Sequence, residues 1–291
     1  ALERRHSRPV RIRARRGVVI SAGGFVANRA MLREHAAAFR GGLPLGTPGD
    51  DGGGIRLGVA AGAATGHLDR VTVWRFLTPP SALVHGVLVD AAGHRVCDES
   101  RYGAAIGQTM ITLHDGKAWL LADRAILAEA RRQLPAETLW FQRLQARYLL
   151  TFGRVTDATL EGVARKAGVD PEGLAATVKE YNAGPPDPGG KPDDLVRPVT
   201  TPPYSLIDCS IRPRLAYPAP MLTLGGLAVD EHDGAVLRPD GTPVPGLYAA
   251  GRSAIGVCSH SYISGLSLAD CVFSGRRAGG AAAATVPARE A

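Results

Sequence analysis

The pattern of hydrophobic and polar positions predicts short elements in the first part of the chain. Over residues 8–20, arginine alternates with other residues, which predicts a strand with one solvated face, a turn, and a short buried strand at 17–21. A turn of small residues follows, and residues 28–39 then have helical periodicity, with Asn28 suited to the N-cap. A glycine-rich loop near 49–54 leads into a short helix of small residues.

The pattern changes between about residues 67 and 205. Strand-like segments alternate here with helices, the strands at 71–77, 85–90 and 117–123 and the helices beginning near Asp123, Thr156 and Asp170. The Asp-Pro-Glu sequence that begins at Asp170 is typical of a helix start, because it combines an acidic N-cap, a first-turn proline and an acid near the positive end of the dipole. The Pro/Gly-rich stretch 183–194 is predicted to be a surface loop or a linker between domains.

The last part of the chain is again rich in β-strand signals. Strand-like segments occur at 222–230, 234–241 and 246–251, and a final helix is predicted over about 264–279. No internal repeat is visible. A length of 291 residues fits one large domain or two modest ones with a sizeable core.

The net charge of +7 raises the question of nucleic-acid binding. Lys and Arg total 34, of which only four are lysine, beside abundant Ala, Gly and Pro. GC-rich codons account for much of this bias. The dense basic run places Arg11, Arg13 and Arg15 on one solvated face, and no aromatic residues interleave with it for base stacking. We therefore expect no nucleic-acid partner.

Cysteine usage and hydropathy bear on the cellular compartment. The four cysteines are scattered without a C-x-x-C pair or zinc spacing, so we expect free thiols, no metal site and a cytoplasmic location (Cys97, Cys209, Cys258, Cys271). No apolar run approaches the roughly 18 residues needed to span a bilayer. The arginine-rich start has no apolar core of a secretory signal. We therefore expect no transmembrane segment.

Three segments have the form of parts of one cofactor site: 18–25, 246–256 and 262–279. The first two are buried strands that run into turns of small residues, where backbone N–H groups can approach a ligand closely. The third opens a helix, whose N-terminal amides favour an oxygen-rich group. Strand–glycine–helix turns are also common packing devices, so the combination of segments is more specific than any one of them.

Five stretches together resemble the fumarate reductase/3-ketosteroid dehydrogenase superfamily of FAD proteins. They are VVISAGGFVAN, DDGGGIRLGVAAGA, AGVDPEGLAATVKEYNA, LTLGGLAVDEHDGAVLRPDGTPVPGLYAAGR and SGLSLADCVFSGRRAG. Their order and spacing match from about residue 15 to the end, and the run that ends in PVPGLYAAG is the most specific. The resemblance implies an FAD-binding domain interrupted by a catalytic cap domain.

This resemblance implies an α/β fold with a discontinuous, Rossmann-like FAD-binding domain and an inserted α+β catalytic cap domain. The predicted boundaries are 1–66 and 206–291 for the FAD-binding domain and 67–205 for the cap. The residues implied to bind FAD lie at the small-residue turns and the last helix start: Ala22, Gly23, Gly24, Gly251, Arg252, Gly265, Ser267 and Leu268. Arg252 stands where many relatives have a glutamate that contacts the ribityl chain, so this sequence departs from the superfamily's pattern at that position.

The loop before the last helix separates two branches of the superfamily. A dicarboxylate substrate needs cationic clamps, and the fumarate branch would present an arginine in this loop. The sequence here is Ser-His-Ser-Tyr-Ile-Ser-Gly, from 259 to 265, with no arginine. Its Tyr-x-Ser-Gly order resembles the ketosteroid dehydrogenase branch, particularly enzymes that act at the 4,5 bond.

By the same resemblance, two tyrosines carry the chemistry. Tyr102, in the context Asp-Glu-Ser-Arg-Tyr-Gly, would remove a proton alpha to a ketone. Tyr262, with Ser264 or the amide near Gly265, would hydrogen-bond the ketone oxygen while hydride leaves the neighbouring carbon for the flavin. A phenol is a poor base at neutral pH, so an adjacent donor must stabilise the phenolate. An apolar steroid would suit a cleft lined by Trp74, Phe76 and Leu77.

Structural alternatives exist for several of these residues. Tyr102 has the alternative of a rim or packing role, and His260 is better explained as a loop residue than as an acid or base. Asp50 and Asp51 are better explained as a solvated turn before a helix than as a carboxylate pair. The glycines at 52–54 are no dinucleotide fingerprint, because no strand precedes them in the required way.

The superfamily's first βαβ unit, with G-x-G-x-x-G and a later acid, is expected to be missing from this sequence, together with a tyrosine of that region. A fragment, a split protein with a partner chain, and a degenerate protein all fit this expectation. Exposed strand edges would favour a partner or an oligomer. We expect an FAD-dependent enzyme that oxidises or reduces a C–C bond beside a ketone, with an external electron acceptor. The alternatives are an ene-reductase for a small acid and an inactive remnant or partner-binding subunit.

Overall fold

The structure is a computed structural model that describes residues 7–39, 41–214 and 216–285. The first six residues of the predicted segment 1–66 and the last six of the predicted segment 206–291 lie outside the described residues. All four cysteines lie inside them and none forms a disulfide.

The described residues form helices and short strands in alternation. The α-helices are α1 (Arg29–His35), α2 (Gly53–Ala60), α3 (Gly103–His114), α4 (Arg124–Glu137), α5 (Trp140–Leu149), α6 (Leu160–Ala167), α7 (Pro171–Tyr181) and α8 (Leu266–Ala284). The strands are β1 (Val18–Ile20), β2 (Leu43–Pro44), β3 (Thr65–Gly66), β4 (Val71–Val73), β5 (Val87–Val89), β6 (Trp119–Ala122), β7 (Arg154–Asp157), β8 (Tyr204–Asp208), β9 (Pro220–Thr223), β10 (Gly226–Leu227), β11 (Ala235–Leu237) and β12 (Pro243–Ala249). Short 3-10 helices lie at Ala37–Phe39, Ser81–His85, Asp193–Leu195 and Gly251–Ser253.

The chain divides into two compact units. The first unit comprises the described residues of Ala1–Asn28, Pro48–Arg70 and Thr223–Ala291, and the second comprises those of Arg29–Thr47 and Val71–Leu222. The second unit therefore includes 29–47 and 206–222 besides most of the predicted cap segment 67–205. A mixed α/β fold agrees with the predicted fold class.

The first unit contains the small-residue turns. Its main sheet has the order β1-β12-β11, with β1 parallel to β12 and β11 antiparallel to it. The parallel pair places Ile20 opposite Ala249, so the turns that follow β1 and β12 leave the same edge of the sheet. Helix α8 packs on this sheet through Ala278, which joins Tyr248 and Ala250 in a buried cluster.

The second unit contains two sheets. One has the order β5-β6-β8-β7 and is antiparallel throughout, and the other has the order β2-β9-β4. Strands β5 and β6 are almost wholly buried on both faces. Their sequences are therefore continuous apolar runs without the period-two alternation of a half-exposed strand.

Side-chain caps fix several helix starts as the sequence predicts. The Asp123 carboxylate accepts from the Ile126 amide at α4, and the Asp170 carboxylate accepts from the Gly173 amide at α7. The helix predicted near Thr156 begins later, at Leu160, because Thr156 pairs with Ser205 in β7 and Thr159 supplies the cap.

Three further expectations need correction. Residues 7–17 form no strand, and Val10 and Ile12 are exposed, because this segment pairs with no described strand and has no buried face. The helix predicted over 28–39 is α1 followed by a separate 3-10 turn at Ala37–Phe39. The last helix continues to Ala284.

Among the described residues, no helix is both long and apolar enough to cross a membrane. The cytoplasmic location stays a prediction.

Candidate functional site

The turn after β1 is built from backbone amides that bond to side chains of the first unit. Gly23 has a φ of 82°, in the left-handed region that favours glycine. The Gly24 amide donates to Asp50 Oδ1 at 3.2 Å, and the Phe25 amide donates to Thr223 Oγ1 at 3.1 Å. A Cβ on Gly24 would lie 2.2 Å from Thr223 Oγ1, so this close approach requires glycine.

The turn after β12 contacts the turn after β1 through Arg252 and Ser253. Arg252 Nη2 lies 2.9 Å from Asp50 Oδ1, and Ser253 Oγ donates to the Gly23 carbonyl at 2.9 Å. Asp50 is only 6% exposed, so the expectation of a solvated turn is wrong for this residue, because its carboxylate joins both turns. That expectation holds for the exposed Asp51, which accepts from the Gly53 amide.

The start of α8 is the third part of this arrangement. Gly265 precedes the helix with a φ of 84°, and a Cβ there would meet no heavy atom within 4 Å. Tyr262 Oη and Ser267 Oγ are 3.3 Å apart. Further along the helix, Ser274 Oγ accepts from the Gly251 amide at 2.8 Å and thereby ties α8 to the turn after β12.

Two observations in the first unit fit an FAD site. Open space adjoins Gly265, at the helix end whose amides and dipole favour oxygen-rich groups. Nη1 of Arg252 is buried and makes no hydrogen bond within the described part of the chain. The residues that would hold the cofactor are those of the two turns and the helix start.

We expect substitution of Gly24 by alanine to disrupt the turn. The new Cβ must displace Thr223 and break its bond to the Phe25 amide, which should lower the free energy of unfolding by about 1–3 kcal/mol. FAD affinity should fall with it. The matched control is Gly275→Ala in α8. A Cβ at this position would meet no heavy atom within 4 Å, so alanine should raise the free energy of unfolding by about 0.5–1 kcal/mol. Thermal unfolding and FAD titration measure both variants, and wild-type values for Gly24→Ala would contradict the close approach.

The predicted residues of the second unit lie together. Trp74 Nε1 donates to Tyr102 Oη at 2.8 Å, and the rings of Phe76 and Tyr102 meet edge to face with centroids 6.5 Å apart. Trp74 is buried, whereas Phe76 is 46% exposed and Tyr102 is 40% exposed. Tyr102 is the residue that precedes α3, so the helix start fixes its backbone.

A buried ion network holds the segment that leads to Tyr102. Glu99 accepts from the Leu88 amide and lies 2.7 Å from Arg95 Nη2 and 2.8 Å from Lys191 Nζ. The side chains of Glu99 and Lys191 are fully buried, and Arg95 also pairs with Asp187. Lys191 and Asp187 belong to the Pro/Gly-rich stretch 183–194. Their ion pairs with Glu99 and Arg95 therefore hold this stretch against the rest of the second unit.

A cavity of about 450 Å³ lies within the second unit. Its lining is mainly apolar and includes Phe76, Leu77, Leu120, Phe141, Leu149 and Ile207. Two glutamines of α5, Gln142 and Gln145, add polar groups. Burial raises the pKa of the Cys209 thiol in its wall to about 11, so the thiol is neutral at ordinary pH.

Sequence reasoning missed several residues of these arrangements. Thr223 and Ser274 are single hydroxyls on apolar elements, and nothing local in the sequence marks their long-range bonds. Lys191 gave no signal, because lysine is almost always exposed. The predicted residues Ser264 and Leu268 are exposed, and their roles stay predictions.

Comparison with known proteins places the chain in a family. The sequence model of the family described as FAD binding domain matches residues 1–266. The chain therefore belongs to the FAD binding domain family, and the predicted resemblance and the FAD cofactor are confirmed.

Individual relatives are steroid dehydrogenases and fumarate-type enzymes. The 3-oxo-5-alpha-steroid 4-dehydrogenase of Comamonas testosteroni is 35% identical over an alignment of 218 positions that covers 73% of this chain and 41% of the relative. The NADH:fumarate oxidoreductase of Klebsiella pneumoniae is 27% identical over an alignment of 281 positions that covers 92% of this chain and 28% of the relative.

A solved structure is also similar. The crystal structure of 3-ketosteroid-delta4-(5alpha)-dehydrogenase from Rhodococcus jostii RHA1 superposes with a TM-score of 0.79 at 34% identity, over 93% of this chain and 53% of that chain. The chain spans about half or less of the length of these relatives.

Proposed function

We propose that this chain takes part in FAD-dependent dehydrogenation or reduction of a C–C bond beside a ketone, on a 3-ketosteroid-like substrate. The observation that carries the proposal is the hydrogen bond from Trp74 Nε1 to Tyr102 Oη, 2.8 Å long. The indole N–H can only donate, so the Tyr102 oxygen accepts and negative charge on it is stabilised. This is the support that a phenolate base requires.

The proposed role of Tyr102 is to remove a proton from the carbon alpha to the ketone. Tyr102 is partly exposed, and the bond from the buried Trp74 holds its hydroxyl in place. Phe76, against the edge of Tyr102, is proposed to contact the apolar body of the substrate.

The proposed role of Tyr262 is to donate a hydrogen bond to the ketone oxygen, with Ser264 or the Gly265 amide as a further donor. Its hydroxyl is within 3.3 Å of Ser267 Oγ, which can accept or donate. Donors placed where negative charge develops on the oxygen lower the barrier to enolate formation.

FAD, when bound, supplies the acceptor for the hydride that leaves the neighbouring carbon. The residues proposed to hold it are those of the turns after β1 and β12, including Arg252, and those of the start of α8. An external electron acceptor then completes the reaction.

The cavity of the second unit supports an apolar substrate. None of the described residues that line it has a charged side chain, and they include the exposed Phe76 that also contacts Tyr102. A ligand with an apolar body and one polar end suits a site of this composition.

One observation favours a small acid as an alternative substrate. The rings of His67 and His260 in the first unit have centroids 4.6 Å apart, and paired imidazoles can bind a carboxylate. The loop itself has no lysine or arginine from 256 to 266, so it offers no cationic clamp of the kind that a dicarboxylate needs.

Turnover of the FAD-loaded chain with a redox dye distinguishes these substrates. We expect a saturated 3-ketosteroid to reduce the dye and succinate to give no reduction above background. Reduction by succinate alone would contradict the steroid proposal and support the small-acid alternative.

A further inference from the structure

Helix α5 has an unusual outer face. Six of the fourteen residues 139–152 are large apolar side chains that are at least 45% exposed: Leu139, Trp140, Phe141, Leu144, Tyr148 and Phe152. Trp140, Leu144 and Tyr148 are spaced four residues apart, so they lie on one side of the helix. The rings of Tyr148 and Phe152 are 5.9 Å apart and extend this side beyond the helix end. We call these exposed side chains the α5 apolar face.

Unneutralised cations border the α5 apolar face. Arg131 and Arg147 line a shallow cleft together with Leu144, Tyr148 and Phe152. Within the described residues, Arg131, Arg143 and Arg147 form no ion pair with a carboxylate. Arg131 donates to the Leu150 carbonyl, and Arg143 donates to the Pro135 and Thr138 carbonyls. No aspartate or glutamate occurs from 138 to 153. The surface therefore combines exposed aromatic and aliphatic groups with a basic rim.

We propose that the α5 apolar face binds the surface of an anionic lipid bilayer. Tryptophan, phenylalanine and leucine on one face of a helix, with arginine beside them, are the composition of helices that lie in a membrane interface. Tryptophan and tyrosine suit this depth because each has an apolar ring and a polar group. These arginines, which have no carboxylate partner among the described residues, complement lipid phosphates and anionic headgroups.

The inner side of the same helix faces the cavity. Gln142, Gln145 and Leu149 of α5 line it, and the 45% exposed Phe141 belongs both to this lining and to the α5 apolar face. A steroid-like substrate partitions into lipid. Binding of the α5 apolar face to a bilayer would therefore bring the cavity next to the membrane that contains the dissolved substrate. This part of the inference rests on the proposed function, whereas lipid binding itself does not.

A second copy of the chain fits the α5 apolar face less well. A two-fold contact brings the same patch of each copy together. The arginines of one copy would then approach those of the other, and like charges across an interface are unfavourable.

Vesicle flotation of the FAD-loaded chain, without any steroid, tests the inference. We expect binding to phosphatidylcholine vesicles that contain phosphatidylserine, weaker binding to phosphatidylcholine alone, and a decrease with added salt because salt screens the arginines. The double variant Trp140→Ser/Phe152→Ser should weaken binding about tenfold or more, since it removes two exposed anchors.

Two further variants make the result specific. Leu113→Ser removes an apolar side chain of the same unit that is 73% exposed but lies outside the α5 apolar face, and it should bind vesicles like the wild type. Arg147→Glu should reduce binding to anionic vesicles more than binding to neutral ones. Circular dichroism and flavin content should be unchanged in all variants.

Two binding results would overturn the inference. Failure of the wild type to bind anionic vesicles would contradict lipid binding by the chain. Equal binding by the wild type and Trp140→Ser/Phe152→Ser would contradict the role of the α5 apolar face. A dimer in light scattering that this double variant abolishes would assign the face to a second copy instead. Steroid turnover that is absent while vesicle binding persists would remove the proposed function and leave the lipid surface intact.

Discussion

Replacing Lys191 with methionine is expected to lower the free energy of unfolding by about 3 kcal/mol. The ammonium group is fully buried, lies 2.8 Å from Glu99 Oε2, and donates to the Val84 and Gly86 carbonyls and to Tyr181 Oη. Methionine has a similar volume, but it removes one of the two cations that neutralise Glu99. It also leaves the Val84 and Gly86 carbonyls without their hydrogen-bond donor. The loss falls at the low end for a broken buried pair because Arg95 still compensates Glu99. Chemical denaturation measures the difference.

The controls separate burial from charge. Lys179→Met, at an exposed position of α7, should change stability by no more than about 0.5 kcal/mol. The double variant Glu99→Gln/Lys191→Met should lose less than the sum of the single variants, because the two groups act as a pair. Additive losses, or a Lys191→Met protein as stable as the wild type, would contradict the buried network.

Replacing Tyr262 with phenylalanine is expected to slow reduction of bound FAD by a 3-ketosteroid about 10²–10³-fold. The substitution removes the hydroxyl proposed to stabilise the ketone oxygen and keeps the ring. Flavin content should be unchanged, because Ser267 and the turns after β1 and β12 remain. Anaerobic stopped-flow absorbance measures the rate.

Tyr204→Phe is the matched control for Tyr262→Phe, because Tyr204 lies in β8 and in no proposed site. Its rate of flavin reduction should equal that of the wild type within about twofold, since it touches no reacting group. A Tyr262→Phe protein that reduces at the wild-type rate would remove the proposed role. One that loses flavin would assign Tyr262 to cofactor binding.

Elements with strong local signals could be predicted from the sequence. Helix α7 begins where Asp170 and Pro171 predict, because the cap and the fixed proline backbone act within one turn. The strand predicted over the arginines at 8–16 did not form, because a period-two pattern cannot supply a partner strand. Thr156 and Thr159 are equally good caps locally, and pairing of Thr156 with Ser205 decides between them.

The candidate site was predictable only in part. Gly23, Gly24 and Gly251 stand out in sequence because turns and close approaches require glycine. The Asp50–Arg252 pair joins residues about two hundred positions apart, and no local pattern predicts it. The same is true of Lys191 with Glu99, whose burial depends on the fold of the whole second unit. The two glutamines line the cavity because α5 packs with one side facing it, and no local pattern in the sequence specifies that direction.

The most direct test of the central claim is an anaerobic titration of the FAD-loaded chain with a saturated 3-ketosteroid. The proposed function predicts that the visible absorbance of the flavin bleaches with the steroid and does not bleach with succinate. Flavin that binds and stays oxidised with every 3-ketosteroid tried, or that bleaches only with succinate, would contradict it.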